Sequence, residues 1–202
     1  MKASETVLLK FIRKSPQFVI PIYQRNYSWT EQQCRQLWND LLRAGRDETI
    51  KGHFIGSIVY VERALSTVSN QEALLIIDGQ QRLTTSMLLI AALAQHFEDN
   101  QIGELLDTFS AAKLRGYYLL NAMETGDRHY KLLLSEADSD TFLSILRKTP
   151  PPVEPSERVL ENYNLFKHSL SSTRARLRPF ARAWTSSSSS KWRSTERKTI
   201  RN

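Results

Sequence analysis

Leu74-Leu75-Ile76-Ile77-Asp78-Gly79-Gln80-Gln81-Arg82-Leu83-Thr84-Thr85-Ser86-Met87-Leu88-Leu89-Ile90-Ala91-Ala92-Leu93 is the stretch that decides the fold. Its first four residues form a short apolar run with β-branched members, the pattern of a buried strand. Residues 87–93 are Leu- and Ala-rich and predict a helix. Between them stand an acid, a glycine, two amides, a guanidinium and two hydroxyls. The junction therefore sets a polar cluster at the carboxyl end of a strand and in the first turn of a helix. Free backbone N–H groups and the helix dipole make such a place attractive to anions.

Each residue there has a chemistry. Gly79 permits the positive φ or close approach that a tight strand-to-helix turn requires. Arg82 carries a planar fork matched to phosphate or carboxylate oxygens. Asp78 is suited to Mg²⁺ or to an attacking water, both of which favour carboxylate oxygen. Gln80 and Gln81 can donate to a charged ligand or orient a water without a change of charge. The competing interpretation is plain packing, with Asp78 as helix cap and Arg82 paired to a surface acid. No G-x-x-x-x-G-K-[ST] loop occurs in the chain.

A second dense motif lies upstream, Ile20-Pro21-Ile22-Tyr23-Gln24-Arg25-Asn26-Tyr27-Ser28-Trp29. Pro21 biases Ile20 toward extended backbone, so an irregular strand or loop is expected. Thr30 and Gln33 have the spacing of a capping box. Cys34, Leu37, Trp38, Leu41 and Leu42 then mark one buried helix face. Tyr23, Tyr27 and Trp29 could anchor that helix or stack on a base, and both readings stay open. Further on, residues 53–61 read as a strand in which Gly56 signals a bulge or a close approach. A polar connection over 62–72 joins it to the strand before Asp78, a hairpin with a long loop.

Together, residues 20–29, the Phe54-Ile55-Gly56-Ser57 strand and Asp78-Gly79-Gln80-Gln81-Arg82-Leu83-Thr84-Thr85 resemble the N-terminal domain of GmrSD-type restriction enzymes. Lys131-Leu132-Leu133-Leu134-Ser135 and the stretch from Glu161-Asn162-Tyr163 to Leu170 look like the family's helical part. The resemblance covers about residues 5–170. It implies an α+β fold, a small ParB/sulfiredoxin-like mixed sheet with helices followed by a helical region. It also implies a nucleoside triphosphate-binding and hydrolysing regulatory domain of a modification-dependent, anti-phage restriction system. Asp78, Gln81 and Arg82 would be catalytic, with Asp78 as the Mg²⁺ ligand. Gln24, Arg25, Gly56, Ser57, Gly79, Gln80 and Thr84 would bind the nucleotide. The alternatives are a nucleotide sensor without turnover and a module that recognises modified DNA.

Family members commonly continue into a His-Asn-His nuclease. The four histidines here (His53, His96, His129, His168) form no such cluster. The expectation is that this chain does not cut DNA by itself and that an HNH nuclease partner or C-terminal half would do so. Cys34, the single cysteine, excludes an internal disulfide framework and falls on an apolar helix position.

Composition breaks near residue 172. Of the 28 Lys and Arg, nine fall in residues 173–202, with only Glu196 of the 21 acids. That leaves 19 basic and 20 acidic residues ahead of the break, so the basic tail accounts for the whole net charge of +7. The expected organisation is a nucleotide-binding core over 5–100, a helical continuation over 101–172 and a basic, disordered tail over 173–202. An out-of-frame origin would explain the tail's abrupt Arg/Ser-rich composition, and DNA could bind there or through a partner. Residues 105–120 and 138–146 carry helical periodicity, and Pro150-Pro151-Pro152 marks a stiff turn. The longest uncharged stretch, 83–97, falls short of the roughly 20 residues a spanning helix needs. With no signal-peptide pattern at the N-terminus, a cytoplasmic location without membrane contact is expected.

Overall fold

The computed structural model describes residues 2–47, 53–62, 73–104, 109–172 and 192–198. Among these residues six strands form one mixed sheet around which six α-helices pack, so the α+β expectation holds. The strands are β1 (Lys2–Val7), β2 (Phe18–Val19), β3 (His53–Glu62), β4 (Leu74–Asp78), β5 (Leu132–Leu133) and β6 (Trp192–Lys198). Their order across the sheet is β1-β6-β3-β4-β2-β5. β3 and β4 run antiparallel as the expected hairpin, whereas β2 lies parallel to both β4 and β5.

The helices are α1 (Leu8–Lys14), α2 (Glu31–Arg46), α3 (Gln80–Asp99), α4 (Ala111–Leu114), α5 (Glu136–Arg147) and α6 (Glu157–Ser171). The centre of the molecule is α3, in which sixteen of twenty residues are buried. A helix apolar on every side needs cover on every side. The sheet, α4, α5 and α6 supply it. Strand β4 enters this core on Leu74 and Ile76, both buried, and leaves it with Ile77 and Asp78 exposed. On α2 the expected stripe of Cys34, Leu37, Trp38, Leu41 and Leu42 is buried. Gln33 Oε1 accepts from the Thr30 N–H at 2.7 Å, in the capping box foreseen from the spacing.

Three local expectations change. Of the expected span 105–120, residues 105–108 lie outside the described residues, residues 109–110 precede the helix, and residues 115–119 widen into a π turn closed by Leu120 N–H donating to Arg115 O. The segment 131–135 is not helical: Leu132–Leu133 forms β5 and Ser135 is the N-cap of α5. Lys131 is buried, and its ammonium donates to Ser15 O at 2.6 Å, satisfying a carbonyl just past the end of α1. Burial lowers its pKa.

The third change concerns the tail. Residues 192–198 form β6, antiparallel to β1 and parallel to β3, where disorder was expected. Pairing uses backbone groups that every non-proline residue carries, so a charged, Ser/Thr-rich segment can fill a gap between two strands. Residues 173–191 and 199–202 lie outside the described residues, as does the 63–72 connection. Among the described residues no helix is long and apolar enough to cross a membrane.

Candidate functional site

The turn from β4 into α3 is set by Gly79, whose φ of 90° and ψ of 6° lie in the left-handed region. A Cβ on it would stand 2.6 Å from Ser57 O. No side chain larger than hydrogen fits between the junction and β3. Gly79, not Asp78, is the N-cap, and no side chain caps the helix. The capping role considered for Asp78 is therefore absent. Its carboxylate is exposed at the end of β4 and makes no hydrogen bond or ion pair among the described residues.

Arg82 turns toward β3. Its Nη1 donates to Ser57 O at 2.6 Å, and its guanidinium lies over Gly56. Gly56 has φ 103°, sits at a register shift between β3 and β6, and would bring a Cβ to 2.6 Å from Arg82 Nη1. The bulge read from the sequence is thus the seat of the arginine. The surface acid considered as its partner is replaced by a backbone carbonyl.

The two motifs meet, and the glutamines join them. Gln81 Oε1 accepts from Ser28 N–H at 2.8 Å while its Nε2 donates to Asn26 O at 3.1 Å. Gln80 Nε2 donates to Arg25 O at 3.1 Å, and Gln24 Nε2 donates to Ile77 O at 3.1 Å. Three amides therefore bind residues 24–28 to the strand–helix junction. The expectation that Gln81 orients a water meets a different use of that amide, since both of its polar atoms hold backbone. Gln80 Oε1 is buried without a hydrogen-bond partner. Thr84 is buried one turn into α3. Ile22, Tyr23 and Arg25 are exposed at the rim.

Beneath the loop lies a buried polar network that no sequence pattern announced. The Tyr27 hydroxyl is 2.6 Å from Thr85 Oγ1 and accepts from Asn162 Nδ2 at 3.1 Å. Asn162 also donates to Trp29 O at 2.7 Å. Asp138 Oδ2 accepts from Tyr27 N–H at 2.6 Å, and its Oδ1 accepts from Ser156 Oγ at 2.6 Å. Helices α5 and α6 thus hold the loop from below. Burial raises the Tyr27 pKa far above the usual phenol range and pushes the Cys34 thiol up to about 11. Both groups stay neutral at physiological pH, as members of a core. Asn162 lies in a segment that the family resemblance covers, but nothing in its neighbours ties it to residue 27.

Beside Arg82 opens a cleft of about 260 Å³. Trp29, Gln33, Gln36, Phe54, Arg82 and Ser86 are among its walls, and Asp78, Gln24 and Arg25 are not. The predicted site residues therefore divide into an exposed rim around Asp78 and a recess around Arg82. Among the described residues no cluster of three or more His, Cys, Asp or Glu could hold a metal.

A search of curated proteins finds no match to this chain. Comparison with protein families matches residues 6–200 to GmrSD restriction endonuclease, N-terminal domain, a span that includes the basic segment after residue 172. With nearly its whole length matched, both motifs joined in one site and an α+β fold around them, the chain belongs to the GmrSD restriction endonuclease N-terminal domain family and is a component of a GmrSD-type restriction system.

Proposed function

We infer that this domain binds a nucleoside triphosphate at the β4–α3 junction and hydrolyses it to regulate a nuclease directed at modified DNA. The observation that carries this reading is the start of α3: a twenty-residue helix opens on a left-handed glycine with no side-chain cap. An anion can take the place of that missing cap, since the first N–H groups of a helix have no partner within it. Asp78 and Arg82 flank it with opposite charges.

In this reading the phosphates lie against the first turn of α3. Arg82, fixed on Ser57 O by one nitrogen, offers its remaining N–H groups to the terminal phosphate as charge builds there. Asp78 accepts a hydrogen bond from the attacking water and draws its proton away. A single carboxylate is a poor metal site alone but suits Mg²⁺, which is commonly bound by one or two carboxylates with substrate phosphates and waters. In the alternative role Asp78 would hold that ion instead of the water, and the ion's chemistry is to neutralise phosphate charge. Gln24, Gln80 and Gln81 hold the loop that closes the site, and the unpartnered Gln80 Oε1 gives that loop a reason to shift when a ligand arrives. The nuclease would be an HNH domain elsewhere in the protein or in a partner. The site would work in the cytoplasm, where both triphosphates and invading DNA are found.

Phosphate release from a panel of nucleoside triphosphates with Mg²⁺ tests the reading. Turnover is expected in the wild type and not in Asp78→Ala, while Arg82→Ala should weaken nucleotide binding. Retained turnover in Asp78→Ala, or unchanged affinity in Arg82→Ala, would overturn these roles. Binding without turnover in the wild type would leave a sensor.

A further inference from the structure

The cleft beside Arg82 has a composition that phosphate binding does not explain. Two of its walls are aromatic, Trp29 half-buried at the end of the motif loop and Phe54 at 58% exposure near the start of β3. A phenylalanine so open on a strand contributes little to the core and is available to a flat partner. A third wall comes from α2, which presents Gln33, Gln36, Leu37 and Asp40. Gln33 Oε1 is already engaged by the Thr30 N–H, so its amide NH₂ is what remains to offer. Ser86 Oγ donates to Arg82 O at 2.8 Å and keeps its lone pairs. Aromatic faces with a few amide and hydroxyl groups at the edge are the usual furniture of a heteroaromatic pocket.

Size narrows the occupant. A volume of about 260 Å³ is just below the roughly 300–1,000 Å³ of typical small-molecule sites. That volume is on the scale of one base with its sugar rather than of a complete nucleoside triphosphate. Arg82 belongs both to this cleft and to the helix start, so a molecule seated in the recess would extend its charged end past the guanidinium toward the first turn of α3. We propose that the cleft is the nucleobase subsite, with the base between Trp29 and Phe54 and its polar edge on the amides of Gln33 and Gln36. This rests on the nucleotide reading above and adds to it the residues that tell a nucleotide from a bare polyphosphate.

The test uses the full chain and measures binding of nucleoside triphosphates and of inorganic tripolyphosphate, by calorimetry, to wild type, Phe54→Ala and Gln36→Ala. Phe54 is exposed, so its removal leaves the fold intact, which circular dichroism checks. Loss of one stacking face should weaken binding of the preferred triphosphate about tenfold or more. Gln36→Ala should change the ranking among bases, and tripolyphosphate affinity should stay where it was. Unchanged triphosphate affinity in both variants would overturn the subsite while leaving nucleotide binding at the junction intact. So would an equal loss for triphosphate and tripolyphosphate. A wild-type protein that binds neither would overturn the nucleotide reading, and the subsite with it.

Discussion

Gln81 and Asp78 stand three residues apart at one junction and have opposite fates. Gln81 is buried with both ends of its amide on the backbone of residues 26 and 28, whereas Asp78 is exposed with its carboxylate uncommitted. The same division runs through the upstream motif, where Tyr27 is locked into the core and Tyr23 projects at 69% exposure. Polar residues crowded between a strand and a helix are therefore two populations. One shapes the loop, the other stays uncommitted at the surface. Density of polar side chains signals that something is built there, and only the hydrogen-bond partners say which residues do the building.

That division can be broken by substitution. The largest effect is expected for Asp78→Ala, which should reduce triphosphate turnover by about a hundredfold or more. Its urea unfolding should stay within about 0.5 kcal/mol of wild type, as for other exposed positions. Gln81→Leu should do the reverse first, costing about 2–4 kcal/mol because the Ser28 N–H and the Asn26 carbonyl lose their partner together. Activity would follow only as the loop loosens. Stability unaffected by this change would move Gln81 into the uncommitted population. Tyr27→Phe should cost about 1–2 kcal/mol, since Thr85 and Asn162 lose a shared partner in the core.

The smallest effect is a control remote from the site. Burial works to raise the Glu98 pKa, but hydrogen bonds and charge from Arg115 and Lys148 outweigh it, and the net shift is downward. A carboxylate with a lowered folded pKa contributes stability above its unfolded pKa, near 4.3, and loses it as pH falls through the folded value. Glu98→Gln should therefore flatten the decline in thermal stability below about pH 5 without altering turnover at neutral pH. An unchanged acid limb would show that the pair with Arg115 does not act on stability.

Legibility followed the range of the interaction. The strand–helix junction, the β3–β4 hairpin, the α2 stripe and its capping box all depend on neighbours a few residues apart, and periodicity or spacing carried them. Gly56 and Gly79 were legible as points of close approach, though what approaches them, Arg82 in one case and Ser57 O in the other, was not. The bond from Asn162 to Tyr27 spans 135 residues, and no local pattern encodes it. β6 escaped for a related reason: its residues have no strand-like alternation, and its place depends on β1 and β3 leaving room. Side-chain identity drew attention to Gln81, but an amide that positions a water and one that ties down a loop are spelled alike.

The locks beneath the loop bear on how portable the two motifs are. Tyr27 is held by Asp138 from α5 and by Asn162 from α6, both far along the chain. Grafting residues 20–29 and 78–85 onto another strand–helix junction would carry the letters of the site without its latches. Nor would a fragment ending at residue 100 keep the loop in place, because the Tyr27 N–H would lose Asp138 and its hydroxyl would lose Asn162. The recognisable signature and the portion of chain that must travel with it are different lengths, and recombination that respects only the first would deliver a motif without its shape.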